Sequence, residues 1–339
     1  MKKSGWILVC LTFVFLFLGP TAQASGNVEF SIRGILPENQ IDKEQTYFDL
    51  LLKPGAKQEI KIAIKNDAAV AQKFVVNINQ ATTNSSGQID YSSKKAPSAA
   101  TIYPIEDVVQ APKTVTVPPQ SEIQVPLSVT MPTEKFAGRI MAGIQVLKLI
   151  EEDGAAVTSQ FGYILGLQLR NTLTQVKREL KITNPKAAIS FGETAFSVNV
   201  ENMTLDAIGK MTYTGKITEA GKKTALQKIN WENRSMAPNS NFDLVFAMND
   251  QEIKPGAYQL HLQVTDGKGN VWQVNESFTV SSKNAKEVNS AIIPVAASSQ
   301  TPPWLYGLVG ALAALLVLVS GVLLKSRRPQ AKAIKELNS

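Results

Sequence analysis

Cysteine is all but missing: the single one, Cys10, sits in an apolar stretch at the N-terminus. Nothing downstream can form a disulfide, a thiolate nucleophile or a cysteine-ligated metal centre. Histidine is equally scarce, with His261 alone. That removes Cys–His dyads, leaves one residue for any Ser–His–Asp triad, and falls short of the Cys/His count of a zinc site. Alternation places His261 with Gln259, Gln263 and Thr265 on the polar side of a strand, so it reads as a solvated strand residue. No D-x-D-x-D-G calcium loop occurs either. No cofactor and no metal are expected.

An excess of one charge sign is also absent once the chain is divided. The net charge is +7, but Lys2 and Lys3 supply +2 and residues 325–339 a further +4, which leaves +1 for everything between. The basic balance therefore belongs to the two ends and argues against a nucleic-acid partner.

Long apolar runs are limited to two. Lys2 and Lys3 precede Trp6 to Leu18, followed by Gly19-Pro20 and the small-residue triplet Ala22-Gln23-Ala24, the pattern of a secretory signal peptide over 1–24. Leu305 to Leu324 is uncharged and long enough for a hydrocarbon core of about 30 Å. Trp304 and Tyr306 mark one interface and Lys325, Arg327 and Arg328 the other, so the expected topology is a membrane helix over 304–324 with residues 325–339 as a cytoplasmic tail. A large ectodomain without cysteine fits a bacterial surface better than an animal one. Four N-x-S/T sequons, at Asn84, Asn202, Asn233 and Asn275, are expected by chance in so Asn- and Ser-rich a chain.

The ectodomain carries strand periods. Ile60, Ile62 and Ile64 alternate with Lys61, Ala63 and Lys65, and Ile123, Val125, Leu127 and Val129 alternate with polar residues and Pro126. Proline cannot donate to a ladder, so that strand is expected at a sheet edge or beside a bulge. Further strands are read at Ile140 to Leu147, Phe161 to Arg170, Phe196 to Val200 and Phe242 to Met248. The clearest hairpin is Tyr258 to Val264, a turn Asp266 to Asn270, and a return from Trp272 to Val280. Glu276 falls on the apolar side of that return, which predicts a bulge or frayed end. The Pro-Gly-x-Tyr approach to Tyr258 suggests a tyrosine corner.

Many short strands without βα alternation define an all-β fold: two immunoglobulin-like antiparallel β-sandwiches plus one C-terminal transmembrane helix. The boundaries are 25–172 for the first sandwich, 173–282 for the second and 283–303 for a flexible stalk. The adjacent acidic groups, Glu106-Asp107 and Glu151-Glu152-Asp153, fall in expected loops. They are the only route to the alternative function, a cell-wall hydrolase or transferase using loop carboxylates.

Three segments of the first half are more specific in wording: "YFDLLLKPGAKQEIKIAIKN" from Tyr47, "QATTNSSGQIDY" from Gln80 and "VTMPTEKFAGRIMAGIQV" from Val129. In this order they resemble the WxL-interacting protein family of Gram-positive bacteria. The matching positions are Tyr47, Leu50, Pro54-Gly55, Asn66, Ala81, Thr83-Asn84, Gly87, Ile89, Tyr91, Met131-Pro132, Phe136, Gly138 and Gly143-Ile144. Ala142 stands where the family often has a first glycine, and an extra serine lies between Asn84 and Gly87. The resemblance implies a non-enzymatic, membrane-anchored adhesin or scaffold, with its ectodomain outside at the cell wall and its C-terminus cytoplasmic. Its first domain would bind peptidoglycan and its second a host ligand such as an extracellular-matrix protein, with WxL-domain surface proteins as further partners. Within "QATTNSSGQIDY", a turn expected inside the first sandwich, Thr83, Asn84, Gly87 and Tyr91 are the candidate ligand-binding residues.

Overall fold

The structure is a computed structural model that describes residues 29–92, 101–149, 161–249, 251–290, 304–312, 314–315 and 318–319. The expected signal peptide, the acidic run Glu151–Asp153 and the basic tail lie outside these residues. In chain order the first unit holds β1 (Phe30–Ile35), β2 (Phe48–Leu51), β3 (Lys57–Asn66), β4 (Gln72–Gln80), β5 (Thr82–Thr83) and β6 (Ile89–Asp90). It continues through α1 (Ile105–Val108), β7 (Val109–Gln110), β8 (Thr114–Val117), β9 (Ser121–Thr130), β10 (Ile140–Lys148) and β11 (Gly162–Arg170). The second holds β12 (Leu180–Ser190), β13 (Glu193–Asn202), β14 (Ile208–Glu219), β15 (Ala225–Met236), β16 (Asn241–Ala247), β17 (Gly256–Thr265), β18 (Val271–Val280) and α2 (Ser282–Asn289).

Each unit is a two-sheet sandwich. The first stacks β1-β3-β9-β7 on β2-β11-β10-β4-β8, and the second stacks β12-β13-β16 on β15-β14-β17-β18. The period-two residues form the cores, as alternation requires. Ile60, Ile62, Ile64, Val125, Leu127 and Val129 meet Phe48, Phe74, Ile144 and Leu167 in one, and Phe196, Val198 and Val200 meet Leu244, Phe246, Leu260 and Leu262 in the other. The first sandwich is not purely antiparallel, because β2 runs parallel to β11. Residues 171–179 then lead out of it.

Both sandwiches use one buried device at a strand end. Asn66, the last residue of β3, donates to the carbonyls of Val70, Val117 and Pro118 and accepts from the Ala68 N–H at 3.0 Å. Asn202, the last residue of β13, donates to the carbonyls of Asp206 and Ala237 and accepts from the Thr204 N–H and hydroxyl. Both amides are fully buried, and a buried amide is tolerated only when bonded this completely. The Asn202 sequon is accordingly closed to modification in the folded chain.

Several expectations need correction. Glu276 causes no bulge: β17 and β18 pair without a register shift, Leu260 opposite Glu276. β18 is an edge strand whose inward side is only half-buried at this position, so the carboxylate keeps water. Glu106 and Asp107 belong to the one-turn helix α1 rather than to a loop. The stretch expected to open a stalk begins with α2, in which Ser281 caps the Asn284 N–H at 3.1 Å and Ala285 and Val288 join the second core. Residues 304–312, 314–315 and 318–319 are helical and exposed. Among the described residues no helix is long and apolar enough to cross a membrane.

Pro126 stands at an open sheet edge, since β7 covers β9 only at Ser128 and Val129. Tyr258 forms the corner: its hydroxyl donates to the Lys254 carbonyl at 2.6 Å while its ring packs on Phe196 and Phe278. The variant Tyr258→Phe keeps the ring and loses the bond. It should cost about 1 kcal/mol of stability, read as a shift of the denaturant midpoint.

Candidate functional site

The segment Gln80 to Ser92 leaves the first sandwich as a two-stranded hairpin of its own, Thr82 opposite Asp90 and Thr83 opposite Ile89. The turn organises itself. Asn84 donates its N–H to the Gln88 carbonyl, and its side-chain oxygen accepts from the Ser86 and Gln88 N–H groups at 3.0 and 3.1 Å. Gly87 supplies the left-handed residue, with φ of 66°.

The tip of the hairpin is built into the second unit. Thr83 is 5% exposed; its hydroxyl lies 2.6 Å from that of Ser240 and accepts the Ala237 N–H at 3.1 Å. Ser235 donates its N–H to the Gly87 carbonyl and its hydroxyl to Gln88, and accepts the Ile89 N–H. Gln88 donates to the Asn233 carbonyl at 2.8 Å. Phe242 and Arg234 close over Gly87. Ala81, Met141 and Ala237 form a small apolar core here, with Ile89, Tyr91 and Ala207 packed against it. Of the four candidate residues, Thr83 and Gly87 therefore join the two sandwiches, and Asn84 shapes the turn.

A second set of bonds holds the same joint. Arg139 donates its N–H to the Leu205 carbonyl at 2.6 Å and its guanidinium to Asp206 at 3.0 Å. Arg178, between β11 and β12, donates to the other Asp206 oxygen at 3.1 Å, to Asp266 at 2.6 Å and to the Ala207 carbonyl. Gly138 lies so close that a Cβ there would strike the Leu205 carbonyl. Burial pushes the Asp266 carboxyl up, but hydrogen bonds from Asn270, Arg178 and the Lys268 N–H outweigh it and hold the group below the usual aspartate value.

Tyr91 has a different setting. It lies over Gly143, where a Cβ would come within 2.6 Å of the Tyr91 Cβ, while Tyr47 lies over Gly166. Gly143 and Gly166 are direct partners on β10 and β11, so two glycines make a shelf under two phenols. Burial pushes the Tyr91 phenol up, Tyr47 beside it adds to that, and Arg139 pulls the other way. Amides flank the shelf: Asn79 holds the Tyr91 carbonyl at 2.9 Å, Asn77 and Asn79 both donate to Gln145, and Gln145 donates to the Ser92 carbonyl. The Asn79 side-chain oxygen is buried without a partner. Asn77, Asn79 and Gln145 were legible as polar alternates on β4 and β10. That Tyr47 meets Tyr91 was not, because 44 residues separate them in the chain.

A depression of about 340 Å³ is lined by Glu106 with no second carboxylate, whereas glycoside hydrolysis needs a pair. Among the described residues no group of three or more His, Cys, Asp or Glu could hold a metal. His261 bonds Asn275 at 2.7 Å on the outer side of its sheet.

Fold and site together define a tandem β-sandwich protein with polar-aromatic surfaces and a bonded joint. Two family models match it in succession: "WxL Interacting Protein, peptidoglycan binding domain" over residues 30–148 and "WxL Interacting Protein, host binding domain" over residues 152–290. The chain belongs to the WxL-interacting protein family. Solved structures to which the chain is similar include a chaperone–tip adhesin complex of CFA/I fimbriae, at 9% identity, 74% of this chain, 97% of that one and a TM-score of 0.32. The E. coli chaperone DraB has 12% identity, 74% and 98% coverage and a TM-score of 0.29. The Pseudomonas aeruginosa CupB2 chaperone has 12%, 67% and 97%, and 0.27. No curated protein matches the chain.

Two outcomes follow from the joint. Asp206→Ala leaves Arg139 and Arg178 without their shared carboxylate and should cost about 3 kcal/mol; small-angle scattering should show a larger radius of gyration at unchanged strand content by circular dichroism. For Asp266, a carboxyl depressed in the folded state contributes fully at neutral pH, and that contribution is lost as pH falls below about 4 and through the folded pKa. Thermal melts from pH 7 to pH 2.5 should show this loss in the native chain. In Asp266→Asn, which is less stable at neutrality, the acid-dependent part of the curve should be reduced.

Proposed function

We propose that this chain is a non-enzymatic surface protein of a Gram-positive cell. On this reading residues 1–24 direct export and residues 304–324 anchor the chain in the membrane. The first sandwich engages peptidoglycan, the second a host ligand such as a matrix protein, and WxL-domain surface proteins are further partners. The tandem match of two binding-domain models over residues 30–290 carries the reading. The anchor rests on the uncharged run Leu305 to Leu324 with its aromatic and basic flanks.

The wall contact is assigned to Tyr91 together with Tyr47, rather than to Thr83 and Gly87, whose groups are engaged by the second unit. Phenol rings on a glycine shelf offer flat apolar faces to sugar rings, while the neighbouring Asn77 and Gln145 amides match acetamido and peptide groups.

The full-length chain should co-sediment with purified, protein-free peptidoglycan, and Tyr47→Ala/Tyr91→Ala should weaken retention about tenfold with the strand signal intact. Retention no better than that of an unrelated β-sandwich would sink the wall-binding reading. Full retention by the double variant would sink the assignment to the two tyrosines alone.

A further inference from the structure

A cleft of about 730 Å³ lies between β5 of the hairpin and the outer side of the β12-β13-β16 sheet. Neither unit forms it alone. Thr82, Thr83 and Ser85 come from the first, and Ser197, Asn199 and Asp243 from the second. Register brings the floor together: Lys186, Ser197 and Val245 make one row across the sheet, and Asn199 stands opposite Asp243 in the next.

Three features of the cleft point to a ligand. Ser197 is only 4% exposed, and its hydroxyl has no hydrogen-bond partner. A buried, unbonded hydroxyl is rare in a native fold, and Ser197 lies among the residues that line the cleft. At the rim Phe191 is 90% exposed and holds a φ of 51°. Phe191 and Gly192, both left-handed, make the two-residue turn between β12 and β13, and the exposed Phe191 lines the cleft there. The rest of the lining mixes hydroxyls and amides with apolar side chains, Ala188, Ile189 and Val245 among them. Its one cation, Lys186, is balanced by its one anion, Asp243, which already accepts from Asn199 at 3.0 Å.

We infer that this cleft binds a neutral oligosaccharide rich in hydroxyl and acetamido groups, with a sugar ring stacked on Phe191 and its polar groups bonded by Ser197 and Asn199. An extended peptide would dock on a free strand edge, but the floor is a sheet face whose central strand, β13, is paired on both sides. Recognition therefore falls to side chains, of which Ser197, Asn199 and Thr82 pair with sugar hydroxyls and Phe191 and Ile189 offer apolar contact to a ring. The volume fits a few sugar rings. The site is separate from the Tyr47–Tyr91 face and does not depend on it.

Such chemistry is offered by wall glycan and by host glycan, and the test separates the two. The full-length chain is titrated calorimetrically with a β-1,4-linked N-acetylglucosamine oligomer and with an N-acetyllactosamine oligomer. Binding of either one supports the site and names its source, provided that Ser197→Ala weakens it about tenfold and Phe191→Ala about fivefold. Ser197→Ala removes a hydroxyl without a partner, so it should melt no lower than the native chain. Phe191 is solvated, so its variant should fold. Binding of neither sugar, or binding that survives both substitutions, overturns the proposal. The same titration in the Tyr47→Ala/Tyr91→Ala background removes any sugar held at the shelf and should keep the binding that Ser197→Ala and Phe191→Ala weaken, so failure here is distinct from failure of wall sedimentation.

Discussion

Asp206 sets the frame for everything the two sandwiches present. One of its oxygens takes a bond from Arg139 of the first unit and the other from Arg178 of the connecting segment, and the aspartate side chain is 6% exposed. A carboxylate so placed could not be buried without cations, and two cations could not sit so near each other without it. The Arg139–Asp206 bond therefore ties the first unit to the second, while Arg178 also holds Asp266 and the Ala207 carbonyl. Slide one sandwich on the other and both charges lose partners in a poorly solvated place. Neutral hydrogen bonds at Thr83, Gln88 and Ser235 add about 1 kcal/mol each at most, but they fix register where the ion cluster alone would permit rotation.

The hairpin and the connecting segment act from opposite directions. The hairpin reaches out of the first sandwich into β15 and β16, while β11 keeps the chain in the first sandwich until Arg170. Sheet membership thus divides the chain after residue 170, one strand later than the family models, which part between 148 and 152. The physical division is the later one. β11 lies between β10 and β2, and Leu167 and Leu169 are buried in the first core. A first domain cut near residue 150 would lose both leucines and leave β10 and β2 with unpaired backbone, a loss that sheet geometry does not forgive.

Alternation made β3, β9, β13, β16 and the β17–β18 hairpin legible because each carries an inward apolar row and keeps an unbroken register with a neighbour. β12 and β14 were hidden for a reason visible in their pairing. β12 slips between Thr183 and Lys186, around Asn184 with φ of 60° and Pro185, and β14 slips between Ile208, Met211 and Tyr213. A bulge shifts the period by one residue, so the inward residues cease to alternate. Glu276 misled in the opposite sense: a polar residue on an inward position signals a defect only if that position is dry. For the site, Tyr91 and the turn at Asn84 to Gly87 could be read from local chemistry. Their partners could not, since Ser235, Ala237 and Ser240 lie about 150 residues away and carry no pattern of their own.

A joint this well bonded changes what the surfaces beside it can do. The Thr83 hydroxyl is shared between Ser240 and the Ala237 N–H, so this part of the cleft wall stands in place before any ligand arrives. Tyr91, at the other end of the same hairpin, is fixed by Asn79 and by the glycine shelf. Ordering side chains at an interface costs about 0.5–1.5 kcal/mol for each one immobilised, and here that cost has been met in folding. A polar surface without a deep apolar pocket binds weakly unless it is preorganised. The ion cluster at Asp206 thereby acts on binding through the fold, by holding two otherwise independent sandwiches so that one hairpin serves both the aromatic shelf and the cleft.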